Sequence, residues 1–113
     1  MATTLAIRLQ ADVLRSLGFA SIGSTYMGIG SAMNFPIRIF HLQNLTDESL
    51  TFSFDGINDH LVLPANGYLL VDVTSNKTQT QGFFLAEGDR VYVKELGTPT
   101  DGSVYLTTFY GVD

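Results

Sequence analysis

The chain reads as an all-β protein, a single antiparallel β-sandwich or jelly-roll-like domain with a loose N-terminal arm. Two observations carry this. Apolar residues recur with a period of two, as in Leu50, Phe52 and Phe54 against Thr51, Ser53 and Asp55. Clusters of Asn, Asp, Gly, Pro and Ser then punctuate these runs every 8–15 residues or so, with no helical crossover between them.

The strands follow in order. Residues 5–9 form a plausible first strand. Residues 11–17 are the one helical candidate, with Asp12 as a possible cap and Gly18 as the stop, but the stretch is too short to be stable alone. Residues 19–22 and 25–29 are short alternations between glycines. Residues 37–44 form a stronger strand, opened by Pro36, which suits a first strand position or an edge. Further strands are expected at 50–55, 60–63, 67–74, 82–85, 90–96 and 103–110. Turn signals separate them at 44–49, 64–67, 75–77, 87–89 and 97–102. The 50–55 strand alternates cleanly, so it is expected at a solvent edge with Thr51 and Ser53 facing water. Residues 1–34 are the arm and first short strands of the same domain, and 35–113 are its core.

Composition narrows the function classes. A chain of 113 residues is one domain. It has no cysteine, so disulfides and thiolate metal sites are excluded. The net charge is −5, and the six basic residues are scattered singly, which disfavours nucleic-acid binding. Gly18, Gly23, Gly28, Gly30 and Pro36 interrupt the uncharged stretch 16–37, so it is no membrane helix. No export signal is apparent.

Several strands are apolar on both faces. Ile37 and Ile39 alternate with Phe40 and Leu42, and Val91 and Val93 with Tyr92. Val104 and Leu106 alternate with Tyr105, with Phe109 further along. One face is an aliphatic core. The other carries Phe40, Tyr68, Tyr92, Tyr105 and Phe109, the candidate assembly interface, since aromatic side chains are favoured at interfaces. The same face is equally open to cover by the N-terminal segment of its own chain.

Signals for chemistry are weak. Asp55, Asn58 and Asp59 offer oxygens to Ca²⁺, but without EF-hand spacing, and Asp-Gly and Asn-Asp are ordinary turn formers. His41 and His60 form no zinc-binding pair. Ser53, His60 and Asp72 supply the residue types of a hydrolytic triad without a nucleophile elbow. Gly28-Ile-Gly30 lacks the third glycine, helix and acidic residue of a dinucleotide fingerprint, and reads as a flexible bend. A carboxylate pair for glycoside hydrolysis could be drawn from Asp55, Asp59, Asp72 or Glu87, but no groove-forming aromatic trio marks a sugar site. No enzymatic activity, cofactor or metal is expected.

The order Pro-Ile-Arg-Ile at 36–39, Asn-Leu-Thr-Asp at 44–47, Phe-Ser-Phe-Asp-Gly at 52–56, Leu-Pro-Ala-Asn-Gly at 63–67, Asp-Val-Thr-Ser-Asn-Lys at 72–77, Val-Tyr-Val-Lys at 91–94 and Gly-Ser-Val-Tyr at 102–105 resembles small β-sandwich virion structural proteins of tailed bacteriophages, of the head and neck accessory type. The resemblance spans about residues 22–111. It implies a symmetric homo-oligomer in the virion, made in the host bacterial cytoplasm. Its partners would be copies of itself and the portal, neck or major capsid protein, with no specific nucleic-acid binding and no membrane. It implies a role at the head–tail neck or on the capsid surface. The alternative is a receptor- or carbohydrate-binding module of the virion that uses the 55–60 loop.

Overall fold

A computed structural model describes residues 8–73 and 84–112. The strands are β1 (Arg8–Ala11), β2 (Arg15–Gly18), β3 (Met27–Gly28), β4 (Ile37–Asn44), β5 (Leu50–Ser53), β6 (Leu61–Leu63), β7 (Tyr68–Asp72), β8 (Tyr92–Glu95) and β9 (Ser103–Val112). They form two antiparallel sheets. Sheet A runs β1-β9-β4-β7, with β2 also paired to β9, and sheet B runs β3-β8-β5-β6. The β-sandwich expected from the alternation is the observed fold. Parts of the expected strands at 5–9 and 82–85, and the turn at 75–77, lie outside the described residues.

The core lies between the sheets. Phe40, Leu42, Val104 and Leu106 come from sheet A, and Leu50, Phe52, Leu63 and Val93 from sheet B. Each such side chain contributes about 1.5–3 kcal/mol by leaving water. Phe54 meets Phe40 edge-on and Phe84 lies tilted against it, with ring centroids 5.9 and 5.4 Å away.

Three expectations are corrected. Residues 11–17 are not helical. Asp12 N–H donates to the Thr108 carbonyl, and the chain steps from β1 to β2 along one edge of β9. Seven residues do not sustain a helix against an open strand edge. Second, β5 is not a solvent edge. It lies between β8 and β6, and all four of its residues are buried. Thr51 stands beside Lys94 in register, and Ser53 beside Tyr92, so neighbouring polar and aromatic side chains replace water. Third, residues 8–34 are not a loose arm. Ile22, Ile29 and Met33 sit in the core.

Two arginines explain why. Arg15 is 2 % exposed. Its guanidinium donates to the carbonyls of Ser31, Ala32 and Val13, to the Thr108 hydroxyl and to the Asp12 carboxylate. Arg90 donates to the Gly30 carbonyl from the other side. Gly28 and Gly30 are glycines because a Cβ at either would strike Arg90 or Arg15, and Gly30 also has φ +66°. The Gly-Ile-Gly stretch is therefore a seat for two arginines rather than a flexible bend.

Asn44 ties the sheets together at the end of β4. It is fully buried. Its amide donates to the carbonyls of Glu48, Leu63 and Pro64 at 2.9–3.1 Å, and its Oδ1 accepts from the N–H and hydroxyl of Thr46. Its backbone bonds to Asn66 and Gly67. Asn66 takes φ 64°, a left-handed conformation that asparagine tolerates. Replacing Asn44 with Ala removes the amide donors to the Glu48, Leu63 and Pro64 carbonyls and takes the acceptor from the buried Thr46 N–H, and should cost about 2–4 kcal/mol. Urea unfolding measures this, and a loss below about 0.5 kcal/mol would show that the amide is not the tie.

Candidate assembly surface

The outer face of sheet A is the most exposed apolar surface on a regular element. Register defines it. Ile39, His41 and Gln43 on β4 stand beside Phe109, Thr107 and Tyr105 on β9, and beside Asp72, Leu70 and Tyr68 on β7. Leu9 and Ala11 on β1 extend the same face past Phe109. Tyr68 is 65 % exposed and Leu70 57 %. Tyr105, Phe109 and Ile39 are half-buried. The His41 and Tyr68 rings meet edge-on at 5.3 Å. β1 and β2 do not cover this face, because they lie in the plane of the sheet beside β9.

Three of the five aromatic residues expected at an interface are thus brought together: Tyr68, Tyr105 and Phe109. Two are not. Phe40 points into the core and is 0 % exposed. A register shift between Ile37 and Ile39 breaks the period of two, so Ile37 and Phe40 both face inward although they stand three positions apart. Tyr92 belongs to the outer face of the other sheet, beside Ser53. Its ring closes on Gly56, where a Cβ would come within 3.3 Å. Sequence reasoning also missed Leu70 and Leu9, which a simple alternation count assigns to a strand face without saying which face is open.

The 55–60 loop is organised around its own polar groups. Asp55 Oδ1 accepts from the N–H of Ile57 and Asn58 and from the Ser53 hydroxyl, and Oδ2 accepts from the Asn58 amide. His60 Nδ1 accepts from Phe54 N–H. Asp59 takes the Tyr26 hydroxyl and, at 3.0 Å, the Lys94 ammonium. The Tyr26 hydroxyl titrates well above the ordinary phenol range, through burial first and then its bond to Asp59. This is a self-capped turn. Among the described residues, no group of three or more His, Asp or Glu is placed to hold a metal ion. Ser53 and His60 lie on the sheet B side, while Asp72 is in sheet A, so that trio is not assembled. Among the described residues no helix is long and apolar enough to cross a membrane.

No family model and no curated protein matches this chain. Among solved structures it is similar to a chain from "Bacillus endospore appendages form a novel family of disulfide-linked pili", at 16% identity and a TM-score of 0.47, over 100% of this chain and 96% of that one. At that TM-score the likeness decides nothing about function.

The loop carries a pH signature. The N–H groups of Asn58 and Ile57, with the Asn58 amide and the Ser53 hydroxyl, hold the Asp55 carboxyl well below its ordinary range. A folded-state value below the unfolded one stabilises above about pH 4, and that contribution is lost as pH falls through the folded value. The gap in melting temperature between wild type and Asp55→Ala should be full near pH 6 and shrink steadily below about pH 4. A gap that stays constant down to pH 2 would mean that the carboxylate does not hold this turn.

Proposed function

We propose that this chain is a structural subunit of a tailed-phage virion, which forms or reinforces a multimeric assembly at the head–tail neck or on the capsid surface. Its role is mechanical and non-enzymatic. Its partners are copies of itself and neighbouring portal, neck or major capsid proteins, and its place is the virion, after synthesis in the host bacterial cytoplasm.

The supporting observation is the outer face of sheet A. A wet sheet face normally alternates to polar residues. Here Leu9, Ile39, Tyr68, Leu70, Tyr105 and Phe109 share it. Exposed contiguous apolar surface marks interaction sites, and repeated copies in a symmetric assembly bury it. The order of motifs that resembles phage head and neck proteins agrees with this. The low count of basic residues agrees with a subunit that does not grip DNA.

The receptor- or carbohydrate-binding alternative depends on the 55–60 loop. That loop spends its carboxylate oxygens on its own N–H groups, so the alternative has less support.

Sedimentation velocity over a range of concentrations tests the reading. The wild-type chain should self-associate. Tyr68→Ser combined with Leu70→Ser should weaken association by about tenfold or more, with unfolding free energy changed by only about 0.5 kcal/mol. A wild-type chain that stays monomeric at every concentration, or a double variant that associates as well as wild type, would contradict it.

A further inference from the structure

We infer that two copies of this chain pair edge to edge through β7, antiparallel, about a two-fold axis at Leu70. This rests on the self-assembly reading above and adds the strand, the register and the symmetry.

β7 is an end strand of sheet A, and among the described residues no strand pairs with its outer edge. Its hydrogen-bonding phase follows from its neighbours. Asn44 N–H donates to the Gly67 carbonyl, and Val73 N–H to the Arg38 carbonyl. In an antiparallel ladder the bonding direction alternates. Leu69 and Val71 therefore bond across to β4, and the backbone groups of Tyr68 and Leu70 point away from it. Edge strands are usually blunted by Pro, Lys, bulges or short length. Tyr-Leu-Leu-Val-Asp has no Pro or Lys, and its pairing with β4 runs without a register shift.

The other edges fit a partner less well. β3 has two residues and β6 three. The β1 and β2 edge is interrupted at residues 12–14. Arg8 and Gln10 stand in register with Val112 and Tyr110, so they share the core-side face. Pairing β7 with another copy's β1 would set Leu69 and Val71 against Arg8 and Gln10.

Pairing β7 with itself removes that mismatch. Centred on Leu70, the antiparallel register places Leu70 opposite Leu70, Leu69 opposite Val71, and Tyr68 opposite Asp72. Leu69 meets Val71 on the core-side face and leucine meets leucine on the outer one, while each Asp72 faces a tyrosine, so no carboxylate meets another. A parallel pairing would oppose the two Asp72 side chains, which is destabilising. The contact is isologous, and it joins two copies of sheet A with their outer faces continuous.

The absence of cysteine makes a clean test. In a hydrogen-bonded pair the two Leu70 Cα atoms would lie about 5.5 Å apart, within reach of a disulfide. Mild oxidation of the Leu70→Cys variant should give a covalent dimer on a non-reducing gel. Ile57→Cys, exposed in the 55–60 loop beside sheet B and away from both the outer face and the edge of sheet A, should stay monomeric on the gel. Leu70→Pro deletes the outward N–H together with the leucine side chain, as edge strands tolerate, and should abolish dimer formation in sedimentation, whereas Leu70→Ala, which keeps the N–H, should only weaken it, with the β circular dichroism spectrum kept in both. If the wild type associates but Leu70→Cys forms no linked dimer, or Leu70→Pro associates unchanged, the edge pairing is wrong while the self-assembly reading stands. If the wild type is a monomer throughout and no variant cross-links, both fall.

Discussion

The register of β4 rests on its two ends. At one, the Asn44 amide reaches three carbonyls from the 48 and 63–64 segments, which fastens a sheet A strand to the turns bordering sheet B. At the other, a register shift between Ile37 and Ile39 resets the phase of the strand. Between these points every side chain is assigned to core or surface. A slip of one residue would exchange Phe40 and Leu42 for Ile39 and His41. β4 also carries β9 and β7 on its two sides. Its register therefore dictates which residues of those strands are exposed, including Tyr68, Leu70, Tyr105 and Phe109.

A second constraint holds the N-terminal segment. A buried arginine is tolerated only when its donors are met. Arg15 meets them with backbone carbonyls from residues 13, 31 and 32. Those segments are irregular and cannot satisfy one another by a ladder, so one side chain does the work of several strand bonds. The Arg15 and Arg90 side chains pack from both sides against Gly28-Ile-Gly30, and Ile29 drops into the core between them. Residues 8–34 thus become part of the sandwich without long strands of their own. Because β1 and β2 are used up at the edge of β9, those strands do not cover the outer face of sheet A.

Much of the fold was legible in the alternation. Residues 37–44, 50–53 and 103–110 are strands because branched and aromatic side chains recur at every second position, and the turns between them carry the expected Asn, Asp and Gly. The candidate surface was only partly legible. Tyr68, Tyr105 and Phe109 share a face because no irregularity separates them in register. Phe40 was misplaced because a bulge at residue 38 leaves no mark in a two-residue period. Tyr92 was misplaced because periodicity identifies faces but not sheets. The polar alternation of β5 suggested water, yet Thr51 and Ser53 are buried beside Lys94 and Tyr92. The arginine seat at Gly28 and Gly30 was invisible for another reason: Arg15 is close in sequence, but Arg90 is contributed from the far end of the chain.

In the proposed assembly, the outer face and edge of sheet A become buried when copies of this chain associate. Hydrogen–deuterium exchange at increasing protein concentration tests it most directly. The account predicts that the amides of Tyr68 and Leu70 gain protection as concentration rises, while those of β8, in the other sheet, stay as they were. Protection that is independent of concentration, or that grows on sheet B instead, would contradict it.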